Sequence, residues 1–306
     1  MSLLVTGTVA FDAIETPFGK TDKIIGGAAT YVSLAASYFT KQVGLIAVVG
    51  DDFPQDYIDL LNQKGIDTSG LQIKSGEKSF FWSGRYFNDM NSRETLITEL
   101  NVLADFDPIV PEALSAPDYL MLGNLAPVVQ STLISRLSKR PKLVVMDTMN
   151  FWMDIALDDL KKTLTMVDVL TINDEEARQL SGEYSLIKAS RIIRAMGPKY
   201  LIIKKGEHGA LLFHEDQVFF APAMLLEDVF DPTGAGDTFA GGFIGYLAST
   251  DDISFENMKR AIIYGSAMAS FCVEQFGTDN ILNIDPNLLK ARVEAFRQLS
   301  YVDFLK

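Results

Sequence analysis

The chain has 306 residues, with 27 Lys and Arg against 40 Asp and Glu, for a formal charge of −13. That balance excludes the basic surface by which proteins hold nucleic-acid polymers or anionic lipid. A single cysteine, Cys272, and two histidines, His208 and His214, exclude a disulfide framework and a Cys-based zinc cluster, while 48% hydrophobic residues allow a large core, in two domains or one sizeable α/β body.

LLVTGTVAF (3–11) opens the chain without a basic segment before it and is too short for a signal peptide. VGLIAVVG (43–50), YLMLGN (119–124), KLVVMDT (142–148), VDVLTIN (167–173) and KYLIIKKG (199–206) follow, each strand-sized and ending in turn or polar residues. None approaches the roughly 18 apolar residues of a membrane span, so a cytoplasmic protein with no membrane partner is expected. Continuous apolar runs suit strands covered on both faces. Helix-length amphipathic stretches lie at 27–40, 52–64, 127–138, 151–163, 174–181 and 185–196. Past residue 230 the chain turns helical, at 235–248, 254–273 and 286–303. This alternation predicts an α/β fold whose central, mostly parallel sheet is flanked by helices. Ligands of such sheets sit beyond the carboxyl ends of the strands.

Residues 12–26 and 71–100 break the pattern and read as extended ribbon separated by turns. In SFFWSGRYF, Phe80, Trp82 and Tyr86 share one face with Gly84, and Phe81 and Phe87 share the other. The two segments are expected to pair into a small β-sheet lid, whose aromatics either pack on the body or contact a ligand. No internal repeat or Pro/Gly/Ser linker divides the chain, so residues 1–306 read as one domain carrying that lid.

Two nucleotide signatures fail. Gly19-Lys20-Thr21 ends like a Walker A loop, but Ile14 stands where its first glycine belongs, and GxGxxG from Gly234 is broken at Phe239. Asp231-Pro232-Thr233-Gly234-Ala235-Gly236-Asp237 is more informative. Its Gly-Ala-Gly turn opens a helix, where unpaired N–H groups and the dipole make an anion pocket free of side chains. Asp237, in the first turn, is placed as a base for a hydroxyl attacking a phosphate held there. Alternatively, the dipole favours an acid at that position, and Gly241, Gly242 and Gly245 merely permit close helix packing.

Three further segments have sufficient structural explanations. Asn173 and Glu176 form a capping box at the start of helix 174–181. Lys205-Gly206-Glu207-His208-Gly209 reads as a turn between strand 199–204 and GALLF (209–213), with Lys205 either near an anion or solvated and His208 a turn residue. Gly277 reads as the glycine ending helix 254–273, and Asp12 as a turn residue.

DPTGAGDTFAGGF (231–243) resembles the C-terminal signature of the ribokinase-like, phosphofructokinase-B type carbohydrate kinases, and Gly26-Gly27-Ala28-Ala29-Thr30-Tyr31 resembles their N-terminal glycine-pair motif. The likeness runs in order through Asp12, the lid segments, Asn173–Glu176 and Gly206–Gly209. It implies a ribokinase-like fold and an ATP-dependent, Mg²⁺-requiring kinase acting on a primary hydroxyl of a sugar or nucleoside. By the resemblance Asp237 is the base, and Gly234, Ala235 and Gly236 form the anion hole. Asp12, Gly26, Gly27, Tyr31, Phe80 and Trp82 fall on the substrate side. Asn173, Lys205, Gly206, Gly209, Thr233 and Gly277 fall along the nucleotide, and Glu176 organises Mg²⁺ through water. A monovalent-cation requirement and a homodimer through the lid strands are left open.

Tyr31 stands where many sugar-specific members have Asn, and it lacks an amide's paired donor and acceptor. With Phe80, Trp82 and Tyr86 it points toward an acceptor bearing a flat base, that is, a nucleoside. A reading of another class is a non-catalytic ligand-binding or regulatory protein on the same fold, which predicts loss of the base or anion hole; this chain keeps both. The −13 charge does not oppose ATP. Helix N-termini, Mg²⁺ and Lys205 meet its phosphates locally while most carboxylates face solvent.

Overall fold

A computed structural model describes residues 1–300. Nine strands form the main sheet in the order β14-β13-β12-β11-β10-β9-β1-β5-β6. From one end these are β14 (Gln217–Ala221), β13 (Ala210–His214), β12 (Tyr200–Lys204), β11 (Val169–Asn173), β10 (Leu143–Asp147), β9 (Tyr119–Leu122), β1 (Leu3–Thr6), β5 (Val43–Gly50) and β6 (Ile66–Lys74). Pairing is parallel from β6 through β12 and antiparallel for β12–β13 and β13–β14. The continuous apolar runs are buried on both faces, as their composition requires.

Alternation along the strands sorts the core into two layers. Leu3, Val5, Leu45, Tyr119, Met121, Leu143 and Val145 face one side, where α1 (Ala28–Ser37), α8 (Ala235–Thr250) and α9 (Phe255–Cys272) pack. Leu4, Ile46, Leu120, Leu122, Val144 and Met146 face the other, toward α3 (Pro127–Arg136), α5 (Leu157–Leu164), α6 (Asp174–Ser181) and α7 (Leu186–Ala195). The small residues of α8 permit its close contacts: a Cβ on Gly245 would lie 2.8 Å from Ala36 Cα of α1, and one on Gly242 would lie 3.0 Å from Gly265 Cα of α9. The packing account of these glycines therefore holds. The remaining helices are α2 (Gln55–Gln63), α4 (Asn150–Ile155), α10 (Asp279–Leu282) and α11 (Pro286–Ser300).

A second sheet runs β3 (Gly19–Lys20), β2 (Ala10–Thr16), β7 (Phe81–Tyr86), β8 (Arg93–Glu99), with β4 (Ile24–Gly26) also on β2. Three boundaries differ from the sequence reading. The run 3–11 divides, because the chain turns at Gly7-Thr8-Val9 and enters the small sheet at Ala10. Residues 71–74, grouped with the lid, belong to β6, which pairs with β5 in the main sheet. The stretch 151–163 is two helices, α4 and α5, broken at Ala156 (φ −142°, ψ 35°). Residues 301–303 of the last expected helix lie outside the described residues.

Candidate active site

Site residues gather where the carboxyl ends of the main-sheet strands meet the small sheet. In β2, Asp12 pairs with Ile24 on one side and Trp82 on the other, so Asp12, Trp82 and Tyr86 lie on one face of the small sheet. Gly26 has no room for a side chain, because a Cβ there would overlap the Asp12 carboxylate. Gly27, at φ 95°, opens α1 and turns the chain back onto Thr8, whose carbonyl accepts from Ala29 N–H at 2.9 Å and whose hydroxyl accepts from Ala28 N–H at 2.8 Å. The glycine pair therefore stands against Asp12, and Asp12 is a strand residue rather than a turn residue.

At the start of α8, Gly234 adopts φ 74°, and the first N–H to close onto the helix is that of Thr238, to Gly234 O at 2.7 Å. Ala235 N–H turns back to Pro232 O at 3.2 Å. The N–H groups of Gly234 and Gly236 have no acceptor among the described residues. Two unpaired backbone donors thus stand at the positive end of the helix. Ala235 contributes its small side chain to that turn, not a free N–H. Ahead of the turn, buried Asp231 accepts from Thr233 N–H (2.8 Å) and Gly277 N–H (3.0 Å), which fastens the loop after α9 to the Gly-Ala-Gly turn. Gly277 is thereby set against Asp231 and Ile24 at β4.

Between β11 and α6 the capping box is complete: Asn173 Oδ1 accepts from Glu176 N–H at 2.8 Å, and Glu176 Oε2 accepts from Asn173 N–H at 2.7 Å. Glu176 is buried there beside Asp147 at the end of β10. Lys204, the last residue of β12, donates to Asp147 Oδ2 at 3.1 Å, and its ammonium would lie 3.0 Å from a Cβ on Gly236. Lys204, not its neighbour Lys205, is thus the cation beneath the Gly-Ala-Gly turn. Lys205 and His208 instead line an open groove of about 340 Å³ with Phe220, Pro222 and Leu225. Gly206 (φ 53°) and Gly209 (φ 82°) shape the turn between β12 and β13.

Burial raises Asp237, Glu176, Asp12 and Asp231 at this cleft. Asp237 is pushed well above the usual carboxylate range by burial and by Asp147, against the pull of Lys204 and Arg93. Glu176 is raised by burial and Asp147, against Lys204. Asp12 is pushed up to about 7, first by burial and then by Asp231. Burial alone would lower Lys204, but Asp147, Glu176 and Asp237 more than offset it and hold the ammonium charged.

Asp12 carries a stability consequence. Its folded value lies above its unfolded value of 3.8, so its contribution is fully present below about 4 and is lost as pH rises through about 7. Asp12→Asn is therefore expected to raise thermal stability more at pH 8 than at pH 5, with a difference on the order of 2–4 kcal/mol. Denaturant melts at both pH values check this; an equal effect at both would refute the buried charge.

One expected substrate contact changes character. Tyr31 is 1% exposed, and its ring packs beneath Gly234, 2.5 Å from where a Cβ would stand. It supports the Gly-Ala-Gly turn from inside the core, so it offers no surface for stacking a base. Trp82 folds over Gly84 on the small sheet, with its indole N–H donating to Thr95 Oγ1 at 3.3 Å. Phe80 precedes β7 and holds Phe11 through its carbonyl at 2.9 Å. Sequence reasoning missed Asp147, Lys204 and Arg93. The first two end apolar strands at the carboxyl side of the sheet, where a polar residue is itself a signal. Arg93, in the exposed strand β8, gave none.

Residues 3–285 match the family model described as pfkB family carbohydrate kinase. The chain belongs to that family. It is a phosphotransferase, a kinase with the ribokinase-like α/β fold. Among relatives within and around the family, a cytidine kinase of Thermococcus kodakarensis is 30% identical over 252 residues, covering 80% of this chain and 88% of that one. A nucleoside kinase of Methanothermobacter thermautotrophicus is 27% identical over 308 residues, covering 90% of each chain. A solved nucleoside kinase of Methanocaldococcus jannaschii, described as an archaeal member of the ribokinase family, superposes with TM-score 0.76 at 20% identity, over 96% of this chain and 99% of that one. No described helix is long and apolar enough to cross a membrane.

Proposed function

We propose that the chain is an ATP-dependent nucleoside kinase that phosphorylates a primary hydroxyl, with Asp237 as base. The observation that carries the chemistry is the convergence of Asp237, the two free N–H donors of Gly234 and Gly236, and Lys204 on one spot. There the acceptor hydroxyl gives its proton to Asp237, its oxygen bonds the γ-phosphorus, and ADP leaves with the electrons of the bond that breaks. The donors and Lys204 meet charge on the phosphoryl oxygens.

Mg²⁺ fits the donor set. Among the described residues no three His, Cys, Asp or Glu side chains form a closed metal cage, and Mg²⁺ shared with phosphates needs none. One oxygen of Glu176 is engaged in the capping box, leaving the other free to hold the ion through water, near Asp147. When bound, the ion offsets phosphate charge. Asn173 orients Glu176, and Thr233, Lys205, Gly206, Gly209 and Gly277 border the nucleotide in this reading.

Nucleoside is favoured over free sugar by the cytidine and nucleoside kinase relatives and by Trp82 beside Asp12 in the small sheet. The test is ADP formation across a panel of nucleosides and sugars, with and without Mg²⁺. Mg²⁺-dependent turnover with at least one nucleoside, exceeding that with ribose or fructose by tenfold or more in kcat/KM, is expected. A sugar preferred over every nucleoside would overturn the substrate class. Ligand binding without turnover would favour the regulatory reading.

A further inference from the structure

Resting on the kinase reading, we propose that Tyr31 is a positioning residue: its flat, buried ring holds the turn at Gly234 in register with the glycine pair on the acceptor side. A Cβ on Gly234 would stand 2.5 Å from each of Cε1, Cε2 and Cζ of Tyr31, so the backbone of Gly234 sits on the face of the ring. At φ 74° a glycine rests there without strain. The backbone of Tyr31 is tied to the acceptor side. Its N–H donates to Gly27 O at 3.2 Å, Thr30 N–H donates to the same oxygen at 3.1 Å, and Thr30 Oγ1 donates to Gly26 O at 2.8 Å. Gly26 in turn lies against the Asp12 carboxylate. One residue therefore spans from the pair that faces Asp12 to the turn whose free N–H groups, in that reading, meet the phosphoryl group.

The helices behind Tyr31 leave that turn little freedom of its own. A Cβ on Gly241 would collide with Val32 O, and one on Gly245 would lie 2.8 Å from Ala36 Cα, so α8 rests directly on the backbone of α1. Every residue of α1 is buried. With no side chain as a cushion between them, a displacement at the start of α1 passes to the start of α8. The ring acts by shape. Its hydroxyl is buried with no hydrogen-bond partner among the described residues, and burial, then Cys272 and Asp12, hold it well above its usual range, so it stays protonated. A rigid ring defines one position for Gly234, whereas a flexible side chain in the same space does not. Transfer to an acceptor oxygen fixed near Asp12 needs the turn in register with that oxygen. Water adjusts its own position and needs no such register.

Two rates on the full chain, compared in Tyr31→Met and Tyr31→Phe, test this. One is phosphorylation of the best acceptor of the nucleoside and sugar panel; the other is phosphate release from Mg²⁺–ATP with no acceptor. In the second reaction a water oxygen bonds the γ-phosphorus, the β,γ-bridging bond breaks with its electrons on ADP, and Asp237 takes the proton. Tyr31→Met should lower kcat for the acceptor roughly 10²-fold with each KM within about threefold, while hydrolysis falls at most about threefold. The ratio of hydrolysis to transfer should therefore rise about tenfold or more, and that ratio does not depend on how much of the variant is folded. Tyr31→Phe loses only the unpartnered hydroxyl and should keep kcat within about twofold and the wild-type ratio. An equal fall in both rates, near-normal kcat in Tyr31→Met, or a Tyr31→Phe variant as impaired as Tyr31→Met overturns this inference and leaves the kinase reading standing. Absence of wild-type turnover with every nucleoside and sugar overturns both.

Discussion

Asp237→Asn is expected to lower kcat by roughly 10²–10⁴-fold while changing nucleotide affinity little. The amide keeps the shape of the first turn of α8 but cannot take the acceptor proton. Its environment also predicts a pH signature. Burial and Asp147 hold Asp237 well above the ordinary carboxylate range, and only the ionised form is a base. In the wild-type protein kcat/KM should therefore rise with pH through a limb close to neutrality rather than near 4. The residual activity of the variant should lack that limb. Steady-state rates from pH 5 to 9, with nucleotide dissociation constants from calorimetry, make the check. Near-normal turnover in the variant would remove Asp237 from the mechanism.

Gly234→Ala is expected to be the most damaging single change to the fold at the site. Two costs coincide there. At φ 74° a side chain is strained whatever the space, and the new Cβ would stand 2.5 Å from three carbons of the Tyr31 ring. Tyr31 cannot retreat, because it is fully buried between α1 and the rest of the core. A loss of about 2–4 kcal/mol follows, or roughly 3–6 °C in Tm for a chain of this size. Activity should fall with it, since Gly234 and Gly236 present the free N–H groups. Adding Tyr31→Leu should recover the steric part while leaving the backbone strain. A Tm within 1–2 °C of wild type for the single variant would show that the turn is not held from below.

What was legible beforehand was local. The capping box needs only Asn173 and Glu176 three residues apart, and it formed as its spacing requires. The apolar runs became the buried strands, because period and run length report burial directly. Where the readings went astray, the competing influence was distant. Leu71, Gln72, Ile73 and Lys74 alternate apolar and polar like a half-exposed ribbon, yet the open edge of β5 recruits them into the main sheet. Tyr31 follows a glycine pair that faces Asp12, but one turn along α1 its ring points inward beneath α8. The place of Lys205 beside Gly206 suggests a phosphate-facing cation. Strand alternation instead turns Lys204 inward, where Asp147 receives it.

The sequence by itself determined the family, the strand–helix alternation, and the motif that places Asp237 in the first turn of a helix. Those features depend on neighbours within a few residues, where spacing and backbone chemistry suffice. Only the tertiary structure decided which charges meet. Lys204 reaches Asp147 across 57 positions, and Thr233 reaches Tyr86 across 147. Strand order and the docking of the small sheet bring such pairs together, and neither is written in local periodicity. Thus the net charge of −13 says little about the cleft, where buried carboxylates stand against two cations drawn from opposite sides.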